Sequence, residues 1–129
     1  RLGQLVTCTS YRNPALLAKM AAMLDVISKG RLEFGIGAGW YENEYTAYGY
    51  RFESPPVRIR QLREAVHIIK KMWTEEKATF HGKYFSVDAA INNPKPIQKP
   101  HPPIMIGGVG EKLMLKTVAR LADRSDFSA

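Results

Sequence analysis

Residues 31–40 read Arg-Leu-Glu-Phe-Gly-Ile-Gly-Ala-Gly-Trp, an apolar strand pattern that runs directly into three alternating glycines and a tryptophan. Because glycine has no side chain, a strand that ends in glycines allows a ligand to approach the backbone. Binding groups in α/β folds gather at the carboxyl ends of strands. Taken alone, Gly35, Gly37 and Gly39 are as typical of a tight packing turn as of a phosphate site. The neighbouring elements favour the phosphate site.

The segment before this strand predicts a strand and a helix. Residues 2–9 are apolar and rich in β-branched side chains, which is typical of a strand. Asn13 offers an N-cap oxygen and Pro14 fits the first helical position, so a helix should begin there and stop at Gly30. Its predicted inward face consists of Leu16, Leu17, Met20, Met23, Leu24 and Ile27. A strand, a helix and a strand form a βαβ unit, which makes the two strands parallel neighbours.

The second half of the chain repeats this order after an insertion. We predict a helix over residues 57–73, a hairpin over 78–87, a connector with five prolines over 92–103 and a strand over 103–106. That strand ends at Gly107, Gly108 and Gly110, and a helix over 111–122 follows it. Backbone N–H groups and the positive end of the helix dipole should therefore converge on these glycines, where an anion would be stabilised. Residues 124–129 are expected to begin another strand.

Two motifs resemble the luciferase-like monooxygenase superfamily. The first is Asn-Pro-Ala-Leu-Leu-Ala-Lys-Met-Ala-Ala-Met-Leu-Asp-Val-Ile-Ser over residues 13–28, followed by Gly-Arg-Leu-Glu-Phe-Gly-Ile-Gly-Ala-Gly-Trp over 30–40. The second combines Pro-Lys-Pro at 94–96, Pro-His-Pro-Pro-Ile at 100–104 and Ile-Gly-Gly at 106–108, a form common in members that use the deazaflavin F420. The resemblance covers nearly the whole chain but does not separate F420 users from FMN users.

The resemblance implies an α/β fold in which parallel βαβ units form part of a (β/α)8 TIM barrel. The flavin or deazaflavin would lie across the carboxyl ends of the strands. Members carry a bulge in the third strand, often with a non-proline cis peptide, which supports the ring system; it would correspond to Thr7, Cys8 and Thr9. The phosphate end of the cofactor would contact Gly37, Ala38, Gly39 and Trp40, and Gly107, Gly108, Val109, Gly110, Glu111 and Lys112.

The sequence names no catalytic residue. Glu42 and Glu44 follow the glycine strand and could reach the site, although solvated loop carboxylates are the commoner case. Trp40 would either pack over a cofactor or cover the barrel rim, and Trp73 belongs to a helix stripe and is expected in the core. Cys8 is the only cysteine in the sequence, so no intrachain disulfide can form. It is expected to be a small buried residue. The three histidines have no metal-ligand spacing, so no metal is expected.

The length of the chain limits how much of a barrel it can form. The chain has 129 residues, whereas a complete (β/α)8 barrel takes about 250. We therefore expect one partial barrel domain over residues 1–129, with three to four strand-helix units and residues 78–103 as an insertion. Parallel strands need covered faces and paired edges. The chain is accordingly expected to be part of a longer polypeptide or to assemble with copies of itself.

Charge and hydropathy limit the classes of molecule that the chain is expected to bind. The net charge of +7 would suit an anionic cofactor, but the basic residues are scattered along the chain, which favours solubility over nucleic-acid binding. No apolar run reaches the about 20 residues of a membrane span, so a cytoplasmic protein is expected.

Two functions remain open. One is an oxidoreductase or monooxygenase polypeptide that uses F420 or FMN on a small organic substrate; the other is a non-catalytic half-barrel that binds anions or aids assembly.

Overall fold

The computed structural model of the chain describes residues 1–108 and 112–126. Its strands are β1 (Leu2–Gly3), β2 (Thr7–Cys8), β3 (Leu32–Gly37), β4 (Ala78–His81), β5 (Ser86–Ala90), β6 (Ile104–Gly107) and β7 (Arg124–Asp126). Its helices are α1 (Pro14–Ile27), α2 (Glu42–Ala47), α3 (Pro55–Thr74) and α4 (Lys112–Leu121). A 3-10 turn covers Thr9–Tyr11. The predicted order of strands, helices and hairpin is confirmed, except that the sequence analysis did not predict helix α2.

The main sheet is parallel. Its strand order is β1-β3-β6-β7, and β2 also pairs with β3. Every pairing in this sheet is parallel, while β4 and β5 form a separate antiparallel hairpin. Within the described residues the sheet does not close on itself. The fold is therefore α/β, with parallel βαβ units that form part of a (β/α)8 barrel and a hairpin insertion, as expected.

The first predicted strand is interrupted. Residues 2–9 form two short strands, β1 and β2, on either side of a cis peptide bond between Leu5 and Val6. The family resemblance led us to expect such a bond near Thr7 to Thr9, so the expected position was two residues too late. Thr9 itself lies in the 3-10 turn that follows β2.

Helix α1 begins where the sequence predicts but buries a different face. The Asn13 side-chain oxygen accepts hydrogen bonds from the backbone N–H groups of Ala15 and Leu16, which confirms the N-cap. The buried residues are Pro14, Leu17, Ala18, Ala21, Ala22 and Asp25, whereas five of the six side chains predicted to face inward are exposed. The prediction was wrong because it assigned the largest apolar side chains to the core. The alanine face allows the closest approach to the sheet and to α3.

The core lies between one face of the sheet and the helices. The predicted inner face of α3 is confirmed: Leu62, Ala65, Val66, Ile69, Met72 and Trp73 are buried. Trp73 donates a hydrogen bond from Nε1 to the carbonyl oxygen of Ala18 at 2.9 Å, and its ring lies 5.3 Å from that of Phe34. These contacts fasten α1 and α3 to β3.

The proline-rich connector is held by buried polar contacts rather than by secondary structure. Gln98 donates hydrogen bonds from its backbone N–H and its side-chain amide to the Asp25 carboxylate, at 2.9 and 2.8 Å. Lys95 donates from Nζ to the carbonyl oxygen of Met72 at 2.8 Å. Burial and the neighbouring Lys99 lower the pKa of Lys95. The connector therefore delivers the chain to β6 along a defined path.

The last two elements extend the parallel sheet. Helix α4 begins at Lys112, one residue after the predicted start, and Lys70 on α3 donates a hydrogen bond to the carbonyl oxygen of Leu121 at 2.7 Å. Strand β7 pairs with β6, which confirms residues 124–126 of the predicted strand; residues 127–129 lie outside the described residues. In the part of the chain that is described, none of the helices is long and apolar enough to cross a membrane.

Candidate functional site

Three strand ends meet at the carboxyl edge of the sheet. Gly37, the last residue of β3, is paired in register with Cys8 of β2 on one side and with Gly107 of β6 on the other. The two glycine-rich strand ends that the sequence singles out are thus direct neighbours. Gly39, Gly107 and Gly108 are half-buried, whereas Gly37 is buried. The backbone is therefore partly accessible at Gly39, Gly107 and Gly108 but not at Gly37.

The glycines in the strands make room for a side chain of this same protein. A Cβ atom added at Gly37 would lie 2.7 Å from Cγ2 of Val6, and one added at Gly107 would lie 2.9 Å from Cγ1 of Val6. A Cβ atom at Gly35 would collide with the carbonyl oxygen of Gln4. The expectation that these strand positions leave bare backbone for a ligand was therefore wrong on this face. Val6 and the adjacent main chain take that space.

Sequence reasoning missed Val6. Residue 6 reads as an ordinary β-branched strand residue, and no local pattern shows that its Cγ atoms lie against Gly37 and Gly107. The available signal was the pair Gly35 and Gly37, which share one face of a strand because side chains alternate. Two glycines on one face indicate that something lies close above them. Val6 is itself half-buried, and its Cγ atoms lie beside Gly37 and Gly107 at the strand tips.

The three residues predicted from the third-strand bulge serve different roles. Thr7 and Thr9 are buried, at 5% and 2% exposure. Thr7 donates a hydrogen bond to the Gln4 side-chain oxygen, and Thr9 donates from Oγ1 to the carbonyl oxygen of Gly37 at 2.8 Å. Their side chains join β2 to the neighbouring backbone. Cys8 is half-buried, so the expectation that it is fully buried was wrong.

Tyr45 on α2 joins the ends of β2 and β3. Its hydroxyl oxygen lies 3.2 Å from Sγ of Cys8, 2.9 Å from Oγ of Ser10 and 3.2 Å from the carbonyl oxygen of Ala38. A Cβ atom at Gly39 would collide with this hydroxyl, and Gly39 has a φ of 79°. Glycine is therefore required there both for space and for backbone conformation. Burial and the contact with Cys8 raise the pKa of Tyr45 to about 12.

We predict that Tyr45→Phe lowers the free energy of unfolding by about 1.5 kcal/mol at neutral pH, because it leaves buried polar partners unpaired. The raised pKa means that the folded state favours the neutral phenol. This contribution is complete below pH 10 and is lost as the pH rises towards 12. Urea unfolding at neutral pH and at several pH values between 10 and 12 measures both effects. If the variant and the parent lost stability equally steeply over that interval, the role assigned to the Tyr45 hydroxyl would be refuted.

A second tyrosine connects the turn after β2 to α2. The Tyr11 hydroxyl donates a hydrogen bond to a Glu44 carboxylate oxygen at 2.9 Å, and the Tyr11 ring lies 5.0 Å from that of Tyr45. Burial, reinforced by Glu44, raises the pKa of Tyr11. The sequence analysis placed Glu42 and Glu44 on a loop, but both lie in the first turn of α2. Glu44 is paired with the Tyr11 phenol, and Glu42 is exposed to solvent. That Glu42 or Glu44 acts on a ligand stays a prediction.

Trp40 stands uncovered at the rim. It follows Gly39 directly and is 81% exposed, and its ring lies 5.3 Å from that of Tyr41. The other tryptophan, Trp73, is 1% exposed, which confirms its place in the core. No described part of the chain covers the Trp40 indole, so a planar ligand at the strand tips would have an aromatic surface to contact.

On the β6 side, the described part of the predicted site is Gly107 and Gly108, together with the backbone of Lys112. Val109, Gly110 and Glu111 lie outside the described residues. Gly108 has a φ of 152°, and α4 begins four residues later. The start of α4 directs free N–H groups towards this end of the helix. Among the described residues, no group of three or more His, Cys, Asp or Glu residues is placed to hold a metal ion.

The comparisons agree with this geometry. The family described as luciferase-like monooxygenase matches residues 1–125. An F420-dependent glucose-6-phosphate dehydrogenase of Kineococcus radiotolerans is 39% identical over 111 residues, which are 85% of this chain and 33% of that protein. An FMNH(2)-dependent dimethylsulfone monooxygenase of Pseudomonas putida is 34% identical over 96 residues, 74% of this chain and 26% of that protein.

Among solved structures, an F420-dependent secondary alcohol dehydrogenase in complex with an F420-acetone adduct superimposes with a TM-score of 0.84 at 31% identity. The match covers 95% of this chain and 37% of that one. The chain therefore spans less than half the length of the relatives that it matches.

Proposed function

The chain belongs to the luciferase-like monooxygenase family, whose members are F420- or FMN-dependent oxidoreductases and monooxygenases, and from that premise we propose that it supplies the cofactor-binding edge of such an enzyme. The complete enzyme would transfer hydride between F420 or FMN and a small organic substrate. The proposed cofactor-binding residues are Thr7, Cys8, Thr9, Gly37, Ala38, Gly39, Trp40, Gly107, Gly108, Val109, Gly110, Glu111 and Lys112. A cytoplasmic location remains a prediction.

The observation that carries the proposal is the register pairing of Gly37 with Gly107. It brings two glycine-rich strand ends side by side at the carboxyl edge of a parallel sheet, the edge at which such folds bind ligands. Gly107 and Gly108 are half-exposed and precede the first turn of α4. This backbone suits the anionic tail of F420 or FMN.

The chemistry of the ring end also fits a flavin or deazaflavin. Val6 and Trp40 present apolar and aromatic surface near the strand tips, and Tyr45 fixes the turn that carries Trp40. A bound F420 or FMN supplies the hydride chemistry. We assign to this chain the placement of the cofactor: Val6 and Trp40 contact the ring, and the backbone after β6 holds the phosphate. Thr7 and Thr9 have buried side chains, so of the proposed cofactor-binding residues these two would serve the cofactor only through the backbone that they support.

A second candidate is a non-catalytic half-barrel that binds phosphate or serves as an assembly module. Its support is the backbone after β6, because Gly107 and Gly108 are half-exposed and precede the first turn of α4. An anion site after β6 would survive in such a module, since backbone N–H groups bind phosphate without the rest of the cofactor.

Titration with oxidised F420, FMN and inorganic phosphate, followed by equilibrium dialysis, separates the two functions. We expect F420 or FMN to bind and Trp40→Ala to weaken that binding about tenfold, or about 1.4 kcal/mol. Tyr48→Ala is the control, because Tyr48 is exposed at 67% but is outside the proposed cofactor-binding residues. Gly108→Val is unsuitable as a test, since the φ of 152° and Met114 at 3.0 Å would strain any side chain there.

The outcomes are distinct. Binding of phosphate alone would support the half-barrel. Cofactor binding that Trp40→Ala and Tyr48→Ala change equally would remove Trp40 from the site. If none of the three compounds bound, both the cofactor-binding role and phosphate binding by a half-barrel would be refuted for this chain.

A further inference from the structure

Basic residues that are scattered along the sequence share one face of helix α3. Arg60, Arg63, His67, Lys70 and Lys71 follow one another at intervals of three, four, three and one. At 3.6 residues per turn, they lie within an arc of about 120° on the side of the helix opposite its buried residues. We call these five residues the basic face of α3.

Helix α4 brings two more cations to the same side of the molecule. Lys70 donates a hydrogen bond to the carbonyl oxygen of Leu121 at 2.7 Å, so the last turn of α4 lies beside the basic face. Arg120 precedes Leu121, and Lys116 lies one turn earlier. Both are exposed. The positive surface therefore extends across two neighbouring helices.

Four of these cations have no counter-ion. Arg60, Arg63, Lys116 and Arg120 form no ion pair or side-chain hydrogen bond within the part of the chain that the structure describes. Partial burial and three cations of the basic face lower the pKa of His67, as expected where like charges converge. An anion at this surface would relieve their mutual repulsion.

The nearby carboxylates are already engaged. Oε1 of Glu75 lies 3.2 Å from Nζ of Lys71. The Glu64 carboxylate accepts hydrogen bonds from the backbone N–H groups of residues 83, 84 and 85 at 2.8, 2.9 and 2.9 Å. Glu64 therefore holds the turn of the hairpin and leaves the cations on the rest of α3 unbalanced.

The rest of a barrel would leave this surface uncovered. Each barrel helix is flanked by the helix before it and the helix after it, and for α3 both are present in this chain. Helix α1 is joined to α3 by the bond from Trp73 to Ala18, and α4 lies on the other side. The hairpin borders one edge, where the Phe80 ring stacks on that of His67 with 6.1 Å between centroids. The side of α3 between the hairpin and α4 is thus open to a separate molecule.

The spacing and surroundings of the basic face favour an acidic helix as that molecule. One side of a second helix presents carboxylates at intervals of three and four, so several ion pairs can form in register. Among the described residues, no large apolar side chain of α3 is exposed, which disfavours insertion into a membrane.

Nucleic acid fits the surface less well. The aromatic rings nearest to it are those of Phe80, stacked on His67, and Tyr84, over which the Lys83 ammonium lies. They offer no free platform on which bases can stack. A helix that enters the major groove must stand clear of its neighbours, whereas α3 lies between α4 and the hairpin.

We propose that the basic face of α3, together with Lys116 and Arg120 of α4, binds an acidic helical segment of another protein that carries glutamate or aspartate along one side. The contacts are between exposed charges, so the affinity should fall steeply as salt is added. This docking is independent of cofactor binding, because it uses none of the proposed cofactor-binding residues.

Fluorescence anisotropy with labelled synthetic peptides at low ionic strength tests the surface. The probe is an alanine-based helix of about 16 residues, long enough to be helical, with glutamates at intervals of three and four along one side. An isomer of the same composition distributes its glutamates around the whole helix. We expect the one-sided peptide to bind and the isomer to bind about tenfold more weakly.

Charge reversal identifies the residues that bind the peptide. The double variant Arg60→Glu and Arg63→Glu should weaken binding of the one-sided peptide about tenfold, since it replaces two attractive contacts with repulsive ones. Lys19→Glu with Lys29→Glu is the matched control: both lysines are exposed and lie outside the basic face, and the net charge changes equally. Circular dichroism checks that each variant is folded.

Several results would overturn the proposal. One is that the one-sided peptide fails to bind the parent chain, and another is that both peptides bind equally. Equal weakening by the two double variants would show an effect of net charge alone. Tighter binding of single-stranded oligo(dT), or of vesicles that contain phosphatidylserine, would assign the surface to nucleic acid or to membrane instead.

Discussion

Asp25→Ala is expected to lower the free energy of unfolding by about 3 kcal/mol. The Asp25 carboxylate is fully buried and accepts hydrogen bonds from the backbone N–H of Leu32, at 3.3 Å, and from both nitrogens of Gln98. Alanine would leave the two backbone donors buried without partners, and an unsatisfied buried donor costs far more than an exchanged hydrogen bond gains. The same change would release the connector from α1 and β3.

Urea unfolding measures this loss, and two further variants define its origin. Asp88→Ala removes an exposed carboxylate and should change stability by less than about 0.5 kcal/mol. Asp25→Asn keeps one acceptor oxygen, so its loss of unfolding free energy should lie between those of Asp25→Ala and Asp88→Ala. If Asp25→Ala were no more harmful than Asp88→Ala, the buried carboxylate would not hold the connector. Since the connector leads into β6, we also expect Asp25→Ala to weaken cofactor binding at Gly107.

Gly37→Ala is expected to destabilise the protein by about 2 kcal/mol, because its new methyl group would press on Val6 in a closely packed strand face. The two atoms would be 2.7 Å apart. Val6→Ala removes both Cγ atoms and should therefore make room. In the double variant, the cost of Gly37→Ala should fall to about half, a coupling that a double-mutant cycle measures directly.

Gly35→Ala provides the matched control for this cycle. The methyl group at residue 35 would collide with the carbonyl oxygen of Gln4, and backbone cannot be trimmed by a substitution at Val6. Because that methyl group would also lie 3.1 Å from Cγ1 of Val6, Val6→Ala should relieve only a small part of its cost. If Val6→Ala relieved both glycine variants equally, or neither, the close packing of Val6 on the strand tips would be disproved.

The sequence predicted best where a pattern is local. The inner face of α3 was read correctly because its apolar side chains repeat along a helix whose other positions are mostly polar or charged, although Ile68 and Arg58 are also buried. Helix α1 lacks that contrast: its apolar residues occur on every side, so size alone suggested which face was inward. The choice of the alanine face depends on how closely α1 approaches β3 and α3, a distance that no local pattern encodes.

In the candidate site, too, the sequence predicted the local features but not the contacts between distant segments. The motifs placed Gly37 and Gly107 at the ends of two strands, and the parallel order of βαβ units made those ends neighbours. The role of Val6 could not be predicted, because its side chain reaches β3 and β6 only after the chain bends between β1 and β2. Tyr45 was missed for a related reason, since it meets Cys8 across 37 positions of sequence.

By itself, the sequence determined the class of fold, the family and the edge of the sheet at which a ligand is expected. Those properties follow from residue periodicity and from glycines whose backbone freedom is a local property. Only the tertiary structure decided which atoms fill the space that the glycines leave and which face of α1 stays outside. Both depend on contacts between distant segments, where a fraction of an ångström separates close packing from collision.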